Sequence, residues 1–403
     1  MKIAVINEYF AEKMGYSDFF LCKALAEAGH DVHLVTSDLH QPFPNYQQSY
    51  EPFLGPRRQS CGSKPFNGFM LHRLPAGKFL GKHETIVGLC PFLRQLRPDV
   101  VQTIGIMRPS SFEIAWLKLR MGFVYFTEAH VHASVFGPDR QRATLGRKIK
   151  WLGYKATLGS FFGAMIDGCQ AISPDCGEIA AGFFGVPRSK LTVFTLASDP
   201  GMFHPAQSEA DLAERAGLRL RFGFAPDDVV CIYTGRLSRD KDPQCLAKAI
   251  AILRNGGHRF KGLFVGNGPK DDIAAIQACD GCAVGNFVPM VDLPPYYRAA
   301  DIGVWPRQES TSQLDAMSTG LPLVLSDSVK DKSRYDGNGL TYAEGDPDAL
   351  AAAIGKLHAP ESRASLGGKG REKVVSDFNW GKVAATRTEE YQSALSRLRK
   401  GMA

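Results

Sequence analysis

Short, unbroken apolar runs that each deliver a polar loop and then a helical pattern constrain this chain more than any other feature. Residues 3–6 (Ile-Ala-Val-Ile) show no polar alternation, so a strand built from them is covered on both faces, as in a parallel sheet. A polar loop follows over 7–15. From 17 to 28 the apolar residues Phe20, Leu21, Ala24, Leu25 and Ala28 then recur at helical spacing. Gly29 stops that helix and residues 32–35 form the next strand, which completes a βαβ unit with a right-handed crossover. Further strands are readable at 69–74, 100–104, 124–126, 167–172 and 191–194. Residues 41–65, rich in Pro, Gln and Ser, read as a long loop or lid. Between 199 and 207 the periodicity lapses, and Pro200, Gly201 and Pro205 mark a linker. A second series of strands occupies 230–234, 263–265, 283–284, 302–305 and 323–325, and the rest of the chain is mostly helical. The expected fold is α/β: two tandem Rossmann-like, doubly wound domains, residues 1–200 and 206–380, with a helical tail over 381–403.

A formal net charge of +7 over 403 residues suits an anionic ligand or an anionic membrane surface. It is too diffuse for nucleic acid, since no dense basic run with interleaved aromatics occurs. Met1-Lys2 leads straight into an apolar run too short for a signal sequence, and the longest uncharged helix-like stretch, 156–166, falls short of the roughly 18 residues a membrane span needs. A cytoplasmic protein, soluble or peripheral at the inner membrane face, is therefore expected, with its nine cysteines reduced. The lone C-x-x-C of Cys279 and Cys282 has no second pair and no nearby histidine, so no metal site is expected. The first loop holds one glycine, Gly15, and no G-x-G-x-x-G, which disfavours a dehydrogenase. Asp346-Pro-Asp348 reads as a helix cap, and Gly266-Asn-Gly268 as a turn without the Lys and Ser/Thr of a P-loop.

Two stretches of the second half carry candidate chemistry. The strand at 230–234 delivers Gly235-Arg236-Leu-Ser-Arg-Asp-Lys241 into a loop before a helix. This is either a solvated turn or a pyrophosphate clamp, in which Arg236 grips two oxygens and Lys241 acts as a point charge. Residues 305–327 read as strand end, polar loop, short helix, glycine stop and strand. Ser310 and Gln313 stand at capping-box spacing, which starts the helix near Thr311, and Gly320 with Pro322 ends it. Glu309 and Asp315 bracket that helix start, and a carboxylate suits ribose or sugar hydroxyls. With these acids in the same half of the chain, the clamp becomes the preferred reading.

The segment 232–241, Ile-Tyr-Thr-Gly-Arg-Leu-Ser-Arg-Asp-Lys, resembles the Gly-Arg-Leu-(Ser)-x-x-Lys segment of the GT-B family 4 glycosyltransferases. Likewise Leu-Phe-Val-Gly-Asn-Gly-Pro (263–269), Asn-Phe-Val-Pro (286–289), Tyr-Tyr-Arg-Ala-Ala-Asp (296–301) and Leu-Asp-Ala-Met-Ser-Thr-Gly-Leu-Pro (314–322) are similar to that family's ordered motifs. So, in the first half, are Gly-His-Asp-Val (29–32), Arg-Pro-Asp-Val-Val (97–101) and the hinge at 196–205. The resemblance spans nearly the whole chain. It implies a GT-B fold whose tail returns to the first domain, and retaining transfer from a nucleotide-diphosphate sugar with no metal or other cofactor bound to the protein. The donor would meet the second domain and the acceptor the first. By the same resemblance Arg236 and Lys241 neutralise the leaving diphosphate. Asp315 holds the ribose, backbone at Phe287 and Val288 recognises the base, and Gly15 lets the first loop approach the phosphates.

The chain also departs from the family pattern. The family's two loop glutamates have seven residues between them, and counting back from Asp315 lands on Arg307; Glu309 is the nearby acid, with five residues between. Ser310, Thr311 and Ser312 replace Gly-Phe-Gly. Either Glu309 meets the donor sugar from a shifted position or that contact is lost, and Glu309, Thr311 and Ser312 are where sugar choice is expected. In the first domain, Thr-Glu-Ala-His-Val-His (127–132) follows a strand where the family carries a sugar-contacting histidine. His130 is the first candidate, His132 the second and Glu128 a lesser one, beside the alternative of an ordinary polar loop. Glu8 and Lys13 are further acceptor candidates or solvated loop charges. Residues 137–162 interleave Arg140, Arg142, Arg147, Lys148, Lys150 and Lys155 with Ile149, Trp151, Leu152, Tyr154 and Leu158. This basic amphipathic pattern fits either an anionic membrane surface or a solvated helix face. The function expected is hexosyl transfer to a glycan, lipid-linked, in bacterial cell-surface polysaccharide (lipopolysaccharide) or glycoconjugate synthesis. The alternatives are a nucleotide-sugar epimerase or hydrolase of the same fold, and a non-catalytic nucleotide- or carbohydrate-binding member.

Overall fold

A computed structural model describes residues 1–43, 46–79, 83–106, 108–131, 145–307, 310–329 and 331–402. The chain divides into two compact units, Met1–Leu196 with Trp380–Ala403, and Ala197–Asn379. The first unit contains β1 (Lys2–Ile6), β2 (Asp31–Ser37), β3 (Gly62–Phe66), β4 (Phe69–Leu74), β5 (Ala76–Phe79), β6 (His83–Ile86), β7 (Val100–Thr103), β8 (Val124–Ala129), β9 (Gly168–Ala171) and β10 (Leu191–Val193). Its main sheet runs β10-β9-β8-β7-β1-β2-β4-β3, and β5 with β6 forms a separate hairpin. Ile3 pairs with Val32 on one side and Val100 on the other, both in parallel register. From β1 the chain works outward through β2 and β4, returns to β7, and then builds in the opposite direction. The loops after β1 and β7 therefore diverge and open a crevice at the carboxyl ends of the strands.

The stretch expected to be a lid is partly ordered: short helices occupy Tyr46–Ser49 and Glu51–Leu54, and β3 pairs antiparallel with β4. Pro65 fits within β3 because β3 is an edge strand, where a missing N–H breaks no ladder. Inside this edge the two histidines of β2 and β4 stack, with ring centroids 5.2 Å apart. His33 Nδ1 lies 2.9 Å from His72 Nε2, Ser63 Oγ lies 2.7 Å from His72 Nδ1, and an Asp31 oxygen lies 3.0 Å from His33 Nε2. Burial holds both imidazoles below their ordinary range, His72 down to about 4.

The terminal helix Trp380–Met402 belongs to this same unit. Trp380 stacks on Phe20 of the helix Ser17–Glu27 at 5.7 Å. Tyr391 packs edge-on against Phe126 at 4.9 Å, and its hydroxyl donates to Gln102 Oε1 at 2.9 Å. The tail thereby covers one face of the sheet, as the family resemblance implied.

The second unit is a six-stranded, all-parallel sheet of β11 (Val229–Thr234), β12 (Phe260–Val265), β13 (Cys282–Gly285), β14 (Ile302–Trp305), β15 (Leu323–Ser326) and β16 (Gly339–Tyr342) in the order β13-β12-β11-β14-β15-β16. Its switch point lies between β11 and β14. The Pro- and Gly-bearing stretch read as a linker is anchored rather than loose. Phe203 is fully buried against Tyr297, and the Phe203 carbonyl accepts from Ser318 Oγ at 2.6 Å and Arg371 Nη1 at 2.8 Å.

Candidate active site

The clamp loop follows β11 at the second unit's switch point, and its path is set by a neighbouring turn. Leu237 N donates to the Asn267 carbonyl at 2.9 Å, and Gly235 N to the Val265 carbonyl at 3.0 Å. The two loops touch so closely that a Cβ on Gly266 would lie 1.9 Å from the Gly235 oxygen, and one on Gly268 2.1 Å from the Leu237 oxygen. The Gly-Asn-Gly turn is thus a bed for the cationic loop. The Tyr233 hydroxyl adds a hydrogen bond to the Arg236 carbonyl at 2.9 Å, leaving that residue's side chain largely exposed, 2.9 Å from Asp240. Lys241 is more buried. Burial, then the neighbouring Arg236 charge, holds its ammonium below the ordinary lysine range, opposed by Asp240. An arriving anion relieves both effects.

Across the switch point, the helix Ser312–Ser318 follows β14. The expected capping box does not form. Ser310 Oγ accepts from Ser312 N at 3.3 Å, while Gln313 is turned inward, its Oε1 3.4 Å from Arg334 Nη1. Arg334 is buried and also donates to the Ser310 carbonyl at 3.1 Å, so an arginine from beyond β15 holds the loop that side-chain capping was expected to hold. Thr311 is exposed at the cap position and makes no side-chain cap bond. The Tyr297 hydroxyl bonds to Thr234 Oγ1 at 2.7 Å and also to the Ser312 side chain. It thereby ties the end of β11 to the start of this helix, beside Asp315. Trp305 Nε1 reinforces the join by donating to the Thr234 carbonyl at 3.2 Å.

Asp315 accepts from Ser198 Oγ at 2.7 Å. Burial pushes its carboxyl up to about 7, offset in part by the Ser198 bond and raised further by the Asp199 charge. An acid poised near neutrality at a helix start, in the same switch-point region as the clamp loop, marks a candidate site. Phe287 and Val288 lie half-buried in the loop after β13. Arg307, at the end of β14, sits 3.1 Å from Glu344, whose carboxyl is held below its usual range chiefly by a hydrogen bond from Ser328. Glu309 lies outside the described residues.

In the first unit, Gly15 adopts the left-handed conformation (φ 60°) before the helix Ser17–Glu27. His130 follows β8, with Nε2 2.7 Å from Glu128 Oε2, and the other Glu128 oxygen receives Arg387 Nη2 at 3.1 Å. Asp18 faces the same group: Asn7 Nδ2 donates to it at 2.7 Å, and burial pushes its carboxyl up to about 6. Glu8 is buried at the end of β1, bonded by Ser110 Oγ and 3.8 Å from Arg108, with burial raising its carboxyl above the ordinary range. Lys13 donates to the Phe53 carbonyl at 2.9 Å. His132, Arg140 and Arg142 lie outside the described residues. Arg334, Arg387 and Asp18 were not singled out from sequence: each works through a partner distant in the chain, and only Asp18, one residue into a helix after a glycine-bearing loop, left a local trace. Among the described residues no group of three or more His, Cys, Asp or Glu side chains could hold a metal ion.

Two tandem Rossmann-like units with a returning C-terminal helix define a GT-B architecture. The solved structure of Anabaena HepE in complex with UDP superposes with a TM-score of 0.68, at 14% identity, over 98% of this chain and 100% of that one. Residues 21–197 match the glycosyl transferase 4-like domain, and residues 228–359 match glycosyl transferases group 1. The chain belongs to the GT-B family 4 glycosyltransferases. Among curated relatives, a D-inositol 3-phosphate glycosyltransferase from Thermobispora bispora is 25% identical over 54% of this chain, and the alignment spans about half, 54%, of that relative. Another of that name from Segniliparus rotundus is 23% identical over 82% of this chain and 77% of its own length.

Proposed function

We propose that this protein moves a hexosyl group from a nucleoside-diphosphate sugar to an acceptor hydroxyl, with retention at the anomeric carbon and without a protein-bound metal. The observation that carries the reading is the meeting, at one switch point, of the Arg236–Lys241 loop with Asp315, joined through Tyr297. In this reading the bond from the anomeric carbon to the β-phosphate oxygen breaks as a bond to the acceptor oxygen forms. The acceptor's proton ends on the released nucleoside diphosphate. Arg236 and Lys241 stabilise the charge that gathers on the departing phosphate, the role a metal ion plays in other transferases. Asp315 accepts from the ribose hydroxyls, backbone near Phe287 and Val288 meets the base, and Thr311 and Ser312 line the sugar end. His130 contacts the transferred sugar. The UDP in HepE supports a uridine donor. Calorimetry tests the reading: Arg236→Ala and Lys241→Ala each weaken UDP or GDP binding by about 10- to 100-fold, the worth of a charge-assisted hydrogen bond. Unchanged affinity in both variants sinks it.

The acceptor in this reading is a lipid-linked glycan at the cytoplasmic face of the membrane, in cell-surface polysaccharide or glycoconjugate synthesis. Support comes from the first unit's surface. In the basic segment 145–165, Ile149, Leu152 and Leu158 are exposed, Leu152 by 67%, and Trp116 of the helix Pro109–Lys118 and Leu119 just after it are exposed too. Trp116 lies 6.5 Å from Phe161 and carries Arg120 over its ring at 5.7 Å. Exposed apolar side chains in a segment of basic sequence, with Arg120 over Trp116, suit an anionic bilayer. No helix among the described residues is long and apolar enough to cross a membrane. Flotation with vesicles of anionic lipid should carry the protein, and Leu152→Ser with Trp116→Ser should reduce that several-fold. Equal binding to neutral vesicles argues against the docking. The names of the curated relatives favour a second acceptor class, a phosphorylated inositol. Product formation on the free polyol phosphate, with none on a lipid-linked glycan, would select it.

A further inference from the structure

Glu128 and Arg387 make an ion pair in which both side chains are only 2–3% exposed. Such a pair is expensive to desolvate, and apolar replacements commonly fold as well or better, so its presence calls for a use beyond stability. Its surroundings suggest one. The two Glu128 oxygens are divided: Oε1 meets Arg387 at 3.1 Å and Oε2 meets His130 Nε2 at 2.7 Å. Arg387 is itself held, with its guanidinium 4.0 Å from the Phe194 ring and Nη1 3.8 Å from Glu390. A carboxylate fixed by one oxygen has little freedom left in the other, so where Arg387 sits decides where the His130 ring points. Arg387 also offsets charge, because Glu128 and Asp18 act on one another across this pocket. Cys22 from the same helix as Asp18, Cys169 on β9, and Tyr391 one turn beyond Arg387 complete the titratable surroundings.

We propose that Arg387 is a positioning residue for glycosyl transfer, acting through Glu128 to hold His130 with Nε2 bonded to the carboxylate and Nδ1 presented to the sugar. The inference rests on the function proposed above for the identity of that ligand. It gives the C-terminal helix a part in the reaction, through a side chain 259 residues from its partner.

Removing Arg387 alone strands a buried carboxylate and risks the fold, so the test replaces the pair together. Glu128→Gln with Arg387→Met leaves neither member of the pair buried and charged without the other. The double variant is expected to keep its Tm within a few degrees and its UDP affinity, while kcat falls about 10- to 100-fold with KM for the donor little changed, as for lost outer-sphere support of a working histidine. In a His130→Ala background the same pair of changes should lower kcat no further, because its route to the reaction is already gone. Arg387→Lys, which keeps the charge, should restore most of the rate. A double variant with kcat within twofold of wild type, or losses that simply multiply with His130→Ala, overturns the positioning role while leaving the transferase reading intact. A wild type that binds UDP yet transfers no sugar overturns that reading and the inference with it.

Discussion

The two units share one topology and use it oppositely. At the switch point of the second, β11 ends in a loop that pushes Arg236 into solvent and half-buries Lys241, facing a helix start that carries Asp315. At the switch point of the first, β1 ends in a carboxylate, Glu8, buried under Ser110 and Arg108. One crevice presents an exposed cation beside a half-buried one, as the proposed anion site requires. The other hides its charge inside the protein. The lesson is that the doubly wound sheet supplies the location of a site and not its sign; that is set by a few residues after each strand.

The comparison breaks most visibly through the clamp. Loss of Arg236 or Lys241 should cost nucleotide affinity far more than any change at Glu8, and a Glu8 variant that weakens UDP equally would erase the distinction. The next effect comes from the bed beneath the clamp. Gly268→Ala places a methyl 2.1 Å from the Leu237 carbonyl, so backbone must move. A loss of about 1–3 kcal/mol, roughly 3–10 °C in the Tm of this unit, is expected together with weaker UDP binding. Unchanged Tm and affinity would show that the Arg236 loop is not seated there.

The smallest and sharpest test is titration. Asp315 in the folded chain keeps its proton up to about 7, against an ordinary value of 3.8. Between those values the unfolded chain releases a proton that the folded chain retains, so this group's contribution to stability falls as pH rises from about 4 to about 7 and is flat above. Asp315→Asn removes that loss, and its Tm advantage over wild type should grow to about 2–6 °C at pH 8 and shrink towards pH 4. UDP affinity of the wild type should rise between pH 6 and 8 as the ribose-accepting carboxylate forms, and the variant should lose this rise. Glu8, raised in the same direction, should give Glu8→Gln a Tm gain of the same sign with no change in the pH dependence of UDP binding. Matching pH dependence in both variants would contradict the assignment of Asp315 to the ligand.

Much of this was legible in the sequence, for identifiable reasons. Strands covered on both faces leave continuous apolar runs, so β1, β11, β14 and β15 could be read directly. The position of the loop proposed as a clamp could be read because glycine and cations stand together at a strand end. Short or edge elements left weaker traces: β16 has four residues, only one of them buried, and β3 contains a proline. The capping-box reading failed because tertiary structure intervened, with Arg334 claiming both the Ser310 carbonyl and the Gln313 side chain. Nothing in local spacing announces that Glu128 will meet Arg387. Pairings of that kind become visible only once the terminal helix is laid against β8.

The stacked histidines of the first unit carry a consequence of a different sort. With both rings neutral, one hydrogen lies between His72 Nε2 and His33 Nδ1 and belongs to one ring or the other, so the tautomer of one ring dictates that of the other. The edge strand β3 is thus fastened, through Ser63, to a row of coupled polar contacts. One added proton is absorbed by a tautomer shift, with Ser63 turning to accept; only when both rings are charged do two N–H groups face each other across 2.9 Å. Acid strong enough to charge both rings should therefore loosen the sheet from this rim, while the raised carboxyl of Asp315 gives the second unit the opposite dependence on acid.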